Sequence, residues 1–250
     1  MARQDAGDAA GAAGRAPDFA AAEAALVGAT EVELLGLMRR SSNYTFLTRV
    51  CGPDEFEALA VYKPQQGESP LWDFPDGTLY LREVAAYRLS RLLGWPDIPA
   101  TVVRSEAPHG IGALQLFVDA QPGRHYLAGN DEPADLWVRL AAFDVLANNA
   151  DRKSGHCLFD SDGRVWVVDH GLTFHVDDKL RTVIWDFAGQ PLPPELRSDL
   201  ERVLGEVDQL EELLSRAELR TLRSRFEAVL DPGWRFPSPS SGWSVPWPPV

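Results

Sequence analysis

Between Val32 and Lys63 apolar and polar positions alternate with the period of a β-strand. Val32, Leu34 and Met38 share one face, and Tyr44, Phe46 and Val50 form a second run. Ser41-Ser42-Asn43 separates the two as a turn, and Ala58–Lys63 reads as a third strand stopped by Pro64. From about Thr78 to Leu93 the period becomes helical. Leu81, Ala85, Leu89 and Leu92 make one stripe, which Gly94 and Pro96 close. Leu114–Val118 is a short apolar strand, and Gln121-Pro122-Gly123 after it marks a hinge.

The second half is mainly helical. Pro133 opens a helix carrying Leu136, Leu140, Phe143 and Ala147 at helical spacing. Cys157–Phe159 and Val165–Val168 flank Asp162-Gly163, which predicts a hairpin. Ser215-x-x-Glu218 predicts a capping box ahead of a last helix that ends near Leu230. At the ends, residues 1–24 are rich in small residues and read as a flexible leader. Residues 231–250 are dense in proline yet hold Trp234, Trp243 and Trp247, so this tail is expected to lie along the body. The expected fold class is α+β and bilobal, with a small β-rich lobe over 25–120 and a mainly helical lobe over 121–230.

Bulk properties narrow the function. At 250 residues with 45% hydrophobic positions the chain can bury a real core. No apolar run approaches a membrane span and no apolar signal stretch precedes the folded part, so a soluble, cytoplasmic protein is expected. Its two cysteines, Cys51 and Cys157, form neither a disulfide framework nor a metal-ligand spacing. A net charge of −13 argues against nucleic-acid binding and against docking on anionic lipid.

The chemistry-bearing residues suit phosphoryl transfer, which needs positioned phosphates, metal ions and an aligned acceptor hydroxyl. Lys63 ends the third strand, where an ammonium can reach phosphate oxygens, and Glu83 on the next helix is its natural partner. The segment Asn148-Asn149-Ala150-Asp151-Arg152-Lys153-Ser154-Gly155-His156 leaves a buried helix and runs into the hairpin. The hairpin's second strand ends Val167-Val168-Asp169-His170-Gly171. Asp151 and Asp169 thus flank one mouth, one to orient an acceptor hydroxyl and the other to hold a metal. His109, His125 and His175 lack ligand spacing and read as surface or loop residues. Asp186, within Trp185-Asp186-Phe187, lies where an acceptor-binding segment would follow Asp169, and the aromatics beside it read as structural packing.

Asp151-Arg152-Lys153 followed by Asp169-His170-Gly171 resembles the motifs of the phosphatidylinositol 3- and 4-kinase superfamily. More closely, the chain is similar to a bacterial phosphatidylinositol 3-/4-kinase-like family that shares this loop and Leu71-Trp72-Asp73-Phe74. The resemblance covers about Val32 to Pro194. It implies a protein-kinase-like fold with ATP in the cleft, Lys63 on the phosphates with Glu83 behind it, Asp151 as catalytic aspartate and Asp169 on Mg²⁺. It also implies that Ser42 and Asn43 cover the phosphates and that Phe117 and Val118 of the linking strand line the nucleotide.

Two positions depart from the family pattern. His156 stands where an asparagine usually binds metal, and Lys153 where a histidine is usual. An imidazole at the metal favours Mn²⁺ over Mg²⁺. The leading expectation is a kinase acting on a hydroxyl acceptor, with a soluble protein or metabolite preferred over a bilayer lipid. A nucleotide-binding pseudokinase that regulates a partner and an AMP-transferring enzyme on the same fold are the alternatives.

Overall fold

A computed structural model describes residues 18–38, 43–53, 55–128, 133–240 and 244–250. Helix α1 (Phe19–Gly28) is followed by strands β1 (Glu31–Leu37), β2 (Phe46–Cys51) and β3 (Glu57–Pro64), helix α2 (Leu79–Leu93), and strands β4 (Thr101–Arg104) and β5 (Gly112–Leu116). The five strands form one antiparallel sheet in the order β1-β2-β3-β5-β4. Helix α3 (Ala134–Ala147), the hairpin β6 (Cys157–Phe159) and β7 (Val165–Val167), and helices α4 (Pro194–Leu204) and α5 (Arg216–Val229) complete the chain.

The alternation read from the sequence drives the sheet. In β2 and β3, Thr48, Val50, Ala60 and Tyr62 face inward and are fully buried. Helix α2 buries Val84, Ala85, Tyr87, Leu89 and Leu93 on β4 and β5 and ends at Gly94, whose φ of +83° suits glycine. Its N-terminus is capped from a distance, because Glu68 accepts the N–H groups of Leu79 at 3.1 Å and Tyr80 at 2.8 Å. Helices α3 and α4 pack on α5, each through a buried apolar stripe. The capping box at Ser215 and Glu218 forms as expected.

Three features differ from the pattern reading. Residues 19–24, assigned to a leader, belong to α1: Asp18 caps it by accepting the Ala21 N–H at 2.9 Å, and Leu26 anchors it in the core. Alanine is a strong helix former, so small-residue composition here means helix and not flexibility. Strand β4 carries β-branched Thr101, Val102 and Val103, but four residues are too few for a visible alternation. The linking strand ends at Leu116, two residues early, although the Phe117 N–H still bonds the Leu59 carbonyl of β3 at 3.0 Å. The tail is tied to the body where the Thr182 and Ser154 N–H groups reach Ser244 O at 3.1 Å and Pro249 O at 2.8 Å. Trp247 nevertheless stays 88% exposed, and Trp243 lies outside the described residues. Among the described residues no helix is long and apolar enough to cross a membrane.

Candidate active site

Strand β3 presents Lys63 at its C-terminal end, paired with Ala113 of β5. The next pair, Pro64 with Gly112, is so close that a Cβ on Gly112 would sit 2.4 Å from the Lys63 carbonyl, so only glycine fits. The ammonium bonds a carboxylate oxygen of Glu83 on α2 and stands 3.1 Å from Asp169 Oδ1. The second oxygen of Glu83 accepts the backbone N–H of His170 at 2.9 Å, so Glu83 ties the strand lysine to the turn after β7. Burial opposes the Lys63 charge, but Asp169 and Glu83 outweigh it and hold the ammonium pKa above its ordinary value. Burial pushes the Glu83 carboxyl upward against the pull of Lys63. Lys63 in turn holds Asp169 far below the usual carboxylate range.

Asp169 itself has φ of +63°, a left-handed conformation that a non-glycine residue adopts at some cost. That turn points its carboxylate at Lys63 and His156 and leaves half its side chain open to solvent.

The loop bearing Asp151 is built by the end of α3. Asn148 takes φ of +50° and ends the helix, and its carboxamide donates to His175 O and Asp177 O and accepts the Lys179 N–H. Asn149 Oδ1 accepts the Asp151 N–H at 3.0 Å. Arg152 is fully buried. It forks onto Asp144 of α3 at 3.0–3.2 Å, and donates to Val168 O at 3.0 Å and to His170 Nε2 at 2.8 Å. One guanidinium therefore joins the helix, the loop and the turn that carries Asp169. Lys153 Nζ lies 2.9 Å from Asp151 Oδ2. Burial pushes the Asp151 carboxyl upward, and Lys153 pulls it back toward the ionised form.

His156 Nε2 lies 3.3 Å from Asp169 Oδ2, while Nδ1 faces the Lys153 N–H at 3.4 Å. An Nδ1 that accepts leaves the ring proton on Nε2, where it points at Asp169. Burial lowers the imidazole pKa to about 4, so the ring is neutral near pH 7. This orientation suits a hydrogen bond that steers Asp169. Among the described residues no group of three or more His, Cys, Asp or Glu is arranged to hold a metal.

Other expected contacts are not brought to this cluster. Asn43 Oδ1 accepts the Ser69 N–H at 2.8 Å, which ties it to the loop before α2, and Ser42 lies outside the described residues. Phe117 donates its amide to the Leu59 carbonyl of β3, and it and Val118 lie just past the end of β5. Leu71-Trp72-Asp73-Phe74 packs against the segment after Asp169. Asp73 pairs with Lys179 at 2.8 Å, His175 meets the Asp73 carbonyl at 2.6 Å, and Leu71 and Phe74 cover Leu79, Ala150 and Leu172. Trp72 stays 92% exposed. His175 is thus a buried pin and not a surface residue. Asp186 accepts a hydrogen bond from the Tyr126 hydroxyl.

Sequence reasoning missed the buried groups behind the site: Asp144, Arg152, His170, Arg82, Glu218 and the distant cap Glu68. One signal was present, since Asp144 interrupts the apolar run of α3 and so demands a buried partner.

Comparisons with known proteins place this geometry. No family model matches the chain. It is 40% identical over 270 aligned positions to Protein Rv2133c of Mycobacterium tuberculosis, covering 90% of this chain and 95% of that one. It is 28% identical over 136 residues to phosphatidylinositol 4-kinase gamma 4 of Oryza sativa subsp. japonica, covering 46% of this chain and 24% of that one. In structure it resembles the Helicobacter pylori proinflammatory kinase CtkA, with a TM-score of 0.51 at 12% identity over 81% of this chain and 92% of that one. It also resembles the Golgi casein kinase, with a TM-score of 0.50 at 13% identity over 86% and 76%. The chain has a kinase-like α+β fold and belongs to the family of Protein Rv2133c.

Proposed function

We propose that the chain is an ATP-dependent phosphotransferase, a kinase that moves the γ-phosphoryl group of ATP to a hydroxyl acceptor. The observation that carries this reading is the junction of Lys63, Glu83 and Asp169 beside the Asp151–Lys153 pair. The distant likeness to a plant phosphatidylinositol 4-kinase and to two kinase structures supports it.

Lys63 binds phosphate oxygens and is held in one rotamer by Glu83. Asp151 orients the acceptor hydroxyl and takes its proton as the bond to phosphorus forms, while ADP leaves. Lys153 keeps Asp151 ionised for that task and places a second positive charge beside the transferring group. The residues fit a hard cation at Asp169, whose carboxylate is ionised and half open, and the imidazole nitrogen of His156 is a poorer partner for Mg²⁺ than an oxygen. Asp169 would hold Mg²⁺, which supplies charge neutralisation on the triphosphate. Residues 25–120 and 121–230 act as the two lobes around this cleft.

A net charge of −13 favours a soluble protein or metabolite acceptor over an anionic bilayer. The test is a search for phosphorylated product with lipid, protein and metabolite pools offered in parallel. A labelled hydroxyl-bearing product supports the reading. Nucleotide binding without any product in the three pools favours the regulatory pseudokinase.

A further inference from the structure

Arg82 and Glu83 are neighbours on α2, and their side chains leave the helix in different directions. Glu83 reaches Lys63 and the His170 amide. Arg82 turns to the other part of the molecule, where Nη1 donates to Thr173 O at 2.6 Å and Nη2 pairs with Glu218 of α5. Both partners are buried. Glu218 is itself immobilised, since one oxygen accepts the Ser215 N–H at 2.8 Å in the capping box while the other faces Arg82. Phe74 closes the remaining side, its ring 5.1 Å from the guanidinium carbon.

A buried ion pair adds little net stability over apolar residues of the same volume, but it accepts few geometries. Here that restriction falls on a helix whose next residue holds Lys63. Any rotation or slide of α2 that separates Glu83 from Lys63 also breaks Arg82 away from α5. We propose that Arg82 is a positioning residue, and that its bridge to Glu218 fixes α2 in the rotation that delivers Glu83 to Lys63 and His170. The effect on turnover rests on the phosphotransferase reading, whereas the geometry does not.

The test uses the Arg82→Met/Glu218→Gln double variant of the full chain. It removes both charges together, and the introduced amide oxygen still accepts the Ser215 N–H. Hydrogen exchange at the His170 amide, which reports where Glu83 sits, should accelerate about tenfold or more, with α3 amides unchanged. Turnover should fall ~10- to 100-fold in kcat with a smaller change in KM for ATP, as for a misplaced catalytic group. Adding Glu83→Gln to the double variant should cost nothing further, because Glu83 is already out of place. Wild-type protection at His170, or the same Glu83→Gln loss in both backgrounds, overturns the proposal. If the double variant does not fold, Glu218→Gln alone is read in the same way: faster His170 exchange supports the clamp and unchanged exchange overturns it. If the wild-type protein transfers no phosphate, the functional reading fails while the exchange measurement still decides the clamp.

Discussion

Replacing Arg152 with methionine keeps most of the buried volume and deletes every polar contact of the guanidinium. Asp144, also fully buried, then keeps only the Asn149 amide at 3.0 Å and the Thr182 hydroxyl at 3.4 Å. Val168 O and His170 Nε2 lose their donor at the same time. Stranding one member of a buried ion pair costs about 3–5 kcal/mol, a large share of the 5–15 kcal/mol that holds a typical domain. For a chain of this size that corresponds to a fall in Tm of about 6–20 °C. Urea unfolding followed by tryptophan fluorescence measures it directly. Asp144→Asn/Arg152→Met should recover part of the loss, since the uncompensated charge is gone. A loss below about 1 kcal/mol in Arg152→Met would show that the loop is not anchored through this pair.

Lys63→Met should lower ATP turnover by ~10²–10³-fold, and Glu83→Gln by less, because it acts only through the lysine; equal and negligible effects would return both to ordinary surface charge. His156→Asn should leave the ratio of Mn²⁺- to Mg²⁺-supported activity unchanged, and a shift toward Mg²⁺ would put the imidazole on the metal. The folded pKa of His156, about 4, lies below the unfolded value of ~6.5, so the native state binds fewer protons between them. Its contribution to stability is therefore lost as pH falls from ~6.5 toward ~4, and urea midpoints at pH 7 and 5 should differ less in His156→Asn than in wild type. Co-sedimentation with anionic vesicles at low salt should show no binding, and strong binding would move the acceptor to a bilayer.

Elements with a long, regular period were legible in the chain. The alternation of β2 and β3, the stripe of α2 and the Gly94 stop each follow from side-chain spacing alone. Strand β4 was hidden by its length, and α1 by an alanine content shared by helices and flexible leaders. At the candidate site, Lys63, Asp151 and Asp169 were legible because each lies at or just beyond the end of an apolar element, and Glu83 because it is a carboxylate on the helix that follows the Lys63 strand. Arg152, Arg82 and Glu218 were not, because a buried charge looks the same in sequence as an exposed one. Only packing reveals that Arg152 faces Asp144 and that Arg82 faces α5. The bond from the Ser69 N–H to the Asn43 carboxamide was hidden for a related reason, since the two residues lie 26 positions apart in the chain.

The central claim is γ-phosphoryl transfer at the Asp169 centre. Incubating wild type and Asp169→Asn with the three acceptor pools and either γ- or α-labelled ATP tests it most directly. The expected result is γ label in a product made by wild type, at least 10²-fold less from Asp169→Asn, and α label in neither. Transfer of α label would make the protein an AMP transferase, and γ transfer at the wild-type rate by Asp169→Asn would contradict the assigned centre.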